Sequence, residues 1–207
     1  ETFLQREAHA LRELGAKLTI LSLHRGELEF DGFDIDRFSK WELLTLLWQL
    51  PIIILTRFSV FRTWFKELFT HRPPSGLSFW ANMLGMGVAV VRESQIRSLK
   101  PDLVHCVWSA DPASFGWVTS LLVGTPFSVG AHAYDVFDRG GDWLLRTKLR
   151  EALLVHTSTE SAYARLVELV PEEKLNLIRR GMYRFPDFKP LRNNRDVLRI
   201  ICVARLV

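Results

Sequence analysis

From residue 100 onward, short apolar runs alternate with helical stretches of about ten residues. The runs are Leu103–Val107, Thr125–Gly130, Ala152–His156 and Lys174–Ile178, and residues 112–122, 143–150 and 161–170 between them carry helical spacing. A strand that is apolar without alternation is buried on both faces, and strands joined by helices of this length run parallel. The pattern predicts an α/β fold, a Rossmann-like parallel sheet with helices on both faces.

Upstream, residues 2–14 place Phe3, Leu4, Ala8, Leu11 and Leu14 on one helical face and stop at Gly15, and residues 17–23 read as a strand. A helix feeding a strand at the very start implies a strand before it. Residues 37–99 read as mostly helical, rich in Trp and Phe, with a break at residues 72–76. Residues 182–196 are polar and proline-containing, as in a linker, and residues 197–203 form another apolar run of strand type. With 207 residues, 48% of them hydrophobic and 24% charged, the chain has the means for one packed domain and a remainder. The expected division is a domain over 1–181, a linker over 182–196 and the first strand of a second domain over 197–207. The chain reads as a piece cut at both ends.

Charge is unevenly placed within a net of +4. Residues 1–36 carry four basic and eight acidic side chains, and residues 37–72 carry six basic and two acidic. A local basic block suits an anionic membrane or a phosphorylated substrate. Nothing in it spaces Arg and Lys as a nucleic-acid reader does. Two cysteines, Cys106 and Cys202, both in apolar runs, fit buried packing residues in a reducing compartment. The apolar stretch 43–55 contains Thr45, Gln49 and Pro51 and falls short of the roughly 20 residues that span a bilayer.

In an open parallel sheet, ligands bind beyond the carboxyl ends of the strands. The residues that follow the strands here are Trp108, Ser109 and Asp111, then His132, Tyr134 and Asp135, then Thr157, Ser158 and Glu160, then Arg179, Arg180 and Gly181. Polar and cationic groups converge on one edge, which predicts a cleft for an anionic ligand. Small neighbours on both sides leave His132 room to donate to a sugar hydroxyl or a phosphate oxygen, or simply to cap the next turn. His132 and Asp135 alone do not make a metal site, so no metal is expected. Ser158 or Thr159 suits a helix N-cap, and His105 and His156, within strands, read as satisfied core histidines, a ligand role being the alternative. Gly85-Met86-Gly87 is not a phosphate loop, and no Gly-x-Ser-x-Gly is present.

Residues 40–69 interleave aromatics with cations. Lys40, Trp41, Arg57, Arg62, Trp64 and Lys66 are the residues expected to face a membrane, as in an interfacial helix whose rings sit at headgroup level. The alternative is that the aromatics pack the core and the cations form its wet face.

Four segments resemble the N-terminal domain of a family 4 glycosyltransferase of the two-domain GT-B fold, of the bacterial surface-polysaccharide and exopolysaccharide type. They are Glu1-Thr2-Phe3-Leu4-Gln5-Arg6-Glu7; Pro101-Asp102-Leu103-Val104-His105; Pro126-Phe127-Ser128 with His132-Ala133-Tyr134-Asp135-Val136-Phe137; and Val203-Ala204-Arg205-Leu206-Val207. They fall in family order along the chain. The resemblance implies transfer of a sugar from a nucleotide-sugar donor to an acceptor, with retention at the anomeric carbon and without a metal or resident cofactor. His132 would then sit over the donor sugar as the catalytic residue, Arg205 would bind the donor diphosphate, and Arg180 and Gly181 would lie on the donor side. Trp108, Ser109, Asp111, Tyr134, Asp135 and Ser158 would line the cleft, Asp135 holding the loop. A sugar or lipid-linked acceptor would bind this domain on the cytoplasmic face of the membrane.

The family's glycine loop, its Lys-Gly after Arg-Leu-Val and its paired glutamates lie outside these 207 residues, so this piece alone is expected to be inactive. Ala204 stands where the family has Gly, and Arg180-Gly181 where it has Asn-Gly or His-Gly. Two other classes share the architecture: a GT-B-like sugar-nucleotide epimerase, which needs acid/base carboxylates in the cleft, and a non-catalytic binding or membrane-docking module.

Overall fold

The computed structural model describes residues 2–24 and 29–179. The linker 182–196, the strand expected at 197–203, and Arg180, Gly181 and Arg205 lie outside the described residues.

Helix α1 (Thr2–Glu13) ends where its spacing predicts. Gly15, at φ +88°, donates to Arg12 O while Ala16 donates to Leu11 O, so the last carbonyls are satisfied by a left-handed glycine cap. Strand β1 (Ile20–Ser22) follows, then a hairpin of β2 (Glu29–Phe30) and β3 (Phe33–Arg37). The sequence reading missed this hairpin and began the helical region at Arg37, which is the last residue of β3. Its cause is local: Asp31 and Gly32 both take positive φ, as the tightest hairpin turn requires. β3 lies between its neighbours, parallel to β1 and antiparallel to β2.

The helical region holds a short 3-10 segment (Lys40–Thr45), α2 (Leu46–Thr56), α3 (Phe58–Thr70), α4 (Gly76–Val91) and α5 (Glu93–Leu99), with the expected break at residues 72–76 and further breaks at Arg57 and Arg92. The regular series then follows: β4 (Val104–Cys106), α6 (Asp111–Val123), β5 (Phe127–Gly130), α7 (Tyr134–Phe137), α8 (Leu145–Glu151), β6 (Leu154–Thr157), α9 (Glu160–Val167) and β7 (Leu175–Leu177). Strands β4, β5, β6 and β7 pair in that order, all parallel. The architecture is α/β with a four-stranded parallel sheet, as the alternation predicts.

Register and pleat give this sheet two unlike faces. Cys106, Val129 and Val155 stand in one row and are buried, beside Phe127 and the α6 residues Trp117 and Val118. Fully burying a side chain of this kind contributes about 1.5–3 kcal/mol. Burial also pushes the Cys106 thiol up to about 12, so it stays protonated and inert. The other face carries His105 and Ser128 in one row and Gly130 and His156 in another.

Helix α4 packs on α6 with its backbone nearly touching. A Cβ on Gly85 would stand 2.1 Å from Asp111 O, which is why that position lacks a side chain. Beside this contact lies a fully buried lysine. Lys148 Nζ donates to Asp142 Oδ2 at 2.6 Å, Asn82 Oδ1 at 2.8 Å and Ala110 O at 3.2 Å. Burial draws the ammonium below the usual lysine range, and the Asp142 carboxylate opposes that. Asn82 also donates to Asp142 and accepts from Ser114, and Ser78 donates to Asp142.

Removing one partner of a buried pair strands the other charge, at a cost of about 3–5 kcal/mol. Lys148→Met is therefore expected to lower stability by about that amount in urea unfolding, and a loss under about 1 kcal/mol would contradict the network's role.

Candidate functional site

Strand β5 delivers its last residues to the carboxyl edge of the sheet, and Ala131 N extends the pairing by donating to His156 O at 2.8 Å. His132 follows, only 6% exposed. Ala133 then takes φ +44°, a left-handed value that costs a residue with a Cβ of order 1–3 kcal/mol, and strain of this kind collects at working loops. Asp135 fixes the bend. Its Oδ1 accepts from His132 N at 3.1 Å, and its Oδ2 accepts from Ser109 N at 2.9 Å and Ser109 Oγ at 2.6 Å. Burial pushes the Asp135 carboxyl up, and these donors oppose it. The carboxylate thus clasps the loop after β4 to the loop after β5, the holding role expected of it.

Trp108 stands edge-on to His132 with ring centroids 5.8 Å apart, and Phe3 of α1 stands edge-on to Trp108 at the same separation. Tyr134 is exposed and its ring lies 6.4 Å from Trp108. Asp111, buried at the start of α6, pairs with His24 at 2.7 Å. Ser158 follows β6, half-buried, and the N-cap of α9 is Thr159, whose hydroxyl accepts from Ala162 N. His132, Trp108, Ser109, Tyr134 and Asp135 are therefore brought together at one strand edge. A surface concavity of about 360 Å³ lies elsewhere, walled by residues 139–147 with His71, Arg72 and Pro74, and His132 does not line it.

Sequence reasoning missed the layer beneath. His105 Nδ1 hydrogen-bonds the Ser128 hydroxyl at 2.8 Å, and its Nε2 lies 3.2 Å from Glu7 Oε1. The His156 ring stacks on His105 at 5.4 Å and stands edge-on to His132 at 5.3 Å. Glu7, 98 positions before His105, offers no local pattern that would reveal the contact. Only the strand register hints that two histidines share a face.

The membrane-facing set divides. Lys40, Trp41, Arg62 and Lys66 are exposed, Trp41 at 80%, in a surface that also exposes Leu47, Trp48, Leu55, Phe58, Phe69, Leu77 and Trp80. Trp64 and Arg57 do not belong to it. Trp64 is buried, its indole N–H directed at Met86 Sδ, because its phase on α3 turns it toward α4. Arg57 sits at the corner between α2 and α3, where it pairs with Glu93 at 2.5 Å and donates to Leu122 O at 2.8 Å. Among the described residues no single helix is long and apolar enough to cross a membrane, and the segments Lys40–Thr56 and Phe58–Thr70 meet at 110°.

The Glu7 carboxyl is held below the usual carboxylate value, chiefly by its hydrogen bond with His105 and further by the charge of the three histidines, with burial opposing. A carboxylate so depressed adds stability above its unfolded pKa and loses that contribution as pH falls through its folded one. Thermal unfolding should therefore show parent protein melting above Glu7→Gln at neutral pH, with the gap closing below the ordinary carboxylate range. A gap that persists in acid would contradict the pairing. Compared with family models, curated proteins and solved structures, the chain matches none of them.

Proposed function

We propose that this chain is the acceptor-side domain of a retaining glycosyltransferase of GT-B architecture, moving a sugar from a nucleotide-sugar to a sugar or lipid-linked acceptor at an anionic membrane surface. The observation that carries the reading is the setting of His132: a buried imidazole at the carboxyl edge of a parallel sheet, its backbone fixed by Asp135 and its ring walled by Trp108. A ring held in that way is ordered before substrate arrives, and donors placed in advance are what stabilise charge developing on a leaving group. The resemblance of residues 126–137 to the family's histidine motif points the same way.

In this reading His132 orients the donor sugar, and Trp108 and Tyr134 offer flat faces for an acceptor ring. Arg205, with Arg180 and Gly181, receives the donor diphosphate, where a guanidinium suits a departing phosphate anion. Metal is not a participant in the transfer, and the nucleotide-sugar is a co-substrate. The epimerase alternative is less favoured because the carboxylates around the cleft are engaged, Asp135 with Ser109, Asp111 with His24 and Glu7 with His105.

The exposed surface of Trp41, Trp48, Phe58 and Phe69, with Lys40, Arg62 and Lys66, supports peripheral docking on the cytoplasmic side of a membrane. Exposed large apolar side chains of this number mark an interaction site where they adjoin, and the cations favour anionic lipid.

His132→Ala in the full-length protein should lower turnover more than tenfold with the fold intact by circular dichroism, and near-normal transfer would refute the assignment. For docking, the protein should sediment with phosphatidylglycerol vesicles at low salt and several-fold less after reversing Lys40, Arg62 and Lys66 to Glu. Equal sedimentation of the reversed variant, or no sedimentation at any salt, would remove the membrane from the proposal.

A further inference from the structure

Half of the chain's six histidines, His105, His132 and His156, gather under one sheet edge. Glu7 reaches into the same place from α1, and one donor atom each from Glu7, His105 and His156 lies within 4.8 Å of the other two. We propose that Glu7, His105 and His156 form a binding site for a divalent transition metal of the zinc class. The inference is independent of the transferase reading and takes no part in sugar transfer.

Three features of the chain fit it. The donor set is two imidazoles and one carboxylate, a combination that suits zinc-type ions and has too few oxygens for calcium or magnesium. Neighbouring donors in a tetrahedral zinc site stand about 3.4 Å apart, as follows from bonds of about 2.0–2.1 Å. Glu7 Oε1 and His105 Nε2, 3.2 Å apart, already meet that spacing. All three donor atoms lie within 4.8 Å of one another, so no pair must close by more than about 1.4 Å, within reach of side-chain rotation. Next, the His105 ring is aimed from behind: its Nδ1 hydrogen-bonds the Ser128 hydroxyl, leaving Nε2 for the site, which is the outer support that metal-bound histidines use.

Gly130 supplies the third feature. A Cβ there would lie 2.8 Å from Val107 O, 3.0 Å from His156 Nε2 and 3.1 Å from His132 Nε2, so the missing side chain leaves room both for the neighbouring strand backbone and for the two rings. With three protein donors, a fourth position would remain for water or another ligand. All three residues are partly exposed, while the nitrogens His105 Nε2 and His156 Nε2 are themselves covered, so an ion enters from the side of the half-buried Glu7 carboxylate. Bound there, a metal clips α1 to strands β4 and β6 and favours the folded chain by mass action.

The test is titration of the metal-free protein with Zn2+ alone by calorimetry, and with Co2+ by visible absorption. One equivalent should bind, the cobalt form should show the d–d bands of a tetrahedral site, and Zn2+ should raise the melting temperature. Glu7→Gln and His156→Gln should each weaken binding at least tenfold and remove the thermal shift, whereas His24→Ala and His71→Ala should leave both unchanged. Glu7→Gln alters a half-buried side chain, so its folding can be checked by circular dichroism and its result stands if His156→Gln does not fold. Absence of binding at millimolar Zn2+ overturns the proposal, as does binding that Glu7→Gln leaves intact or that His24→Ala or His71→Ala abolishes.

Discussion

The Lys148 ammonium is fully buried, and the fold around the sheet edge depends on how its charge is answered. Three elements answer it: α4 through Asn82, the turn before α6 through Ala110 O, and the loop before α8 through Asp142. Each partner is fixed in turn, since Asn82 accepts from Ser114 of α6 and Asp142 accepts from Ser78 of α4. Replacing Lys148 and Asp142 together by apolar residues of similar volume would fill the space and spare the desolvation, whereas replacing either alone strands the other. What the double replacement would lose is direction: the ammonium specifies where three backbones lie relative to one another, whereas apolar packing tolerates sliding.

That specification passes directly into the candidate site through three consecutive residues. Ser109 donates twice to Asp135, Ala110 offers its carbonyl to Lys148, and Asp111 pairs with His24. The turn after β4 is thus held from the core, from the loop after β5 and from the segment after β1. His132 inherits its position from the second of these, because Asp135 grips Ser109 and the His132 backbone with its two oxygens. The strain at Ala133 is consistent with this arrangement, for a non-glycine residue stays at φ +44° only where its neighbours over-determine it.

The four-stranded sheet was legible because its strands are short, mostly apolar runs separated by segments of helix length, although only β5 is buried throughout. The hairpin at β2 and β3 was missed although Phe33-Asp34-Ile35-Asp36 alternates and Asp31-Gly32 is a turn signal, because both strands are short and acidic. At the site, His132 and Asp135 were legible from their place after a strand. Glu7 with His105 and His156 was not, since their contact depends on how α1 crosses the sheet and no local spacing encodes it. Trp64 and Arg57 show a related limit: composition identifies an aromatic, basic stretch, but which side of α3 faces α4 is settled by phase and by partners as distant as Glu93 and Leu122.

The inward turn of Trp64 and Arg57 bears on what their segment can do. A helix that only floated in an interface would need no tertiary anchor, and its apolar face would be free to rotate toward lipid. Here α2 and α3 are tied to the body at their corner by Arg57 and through the buried Trp64, so the apolar residues that remain outside are presented in a fixed arrangement. Ile53 is buried from the same stretch that exposes Ile52 and Leu55. Such an apolar surface is pre-ordered: docking it orders few new groups, and its orientation also fixes where the sheet edge with His132 points relative to the surface it meets.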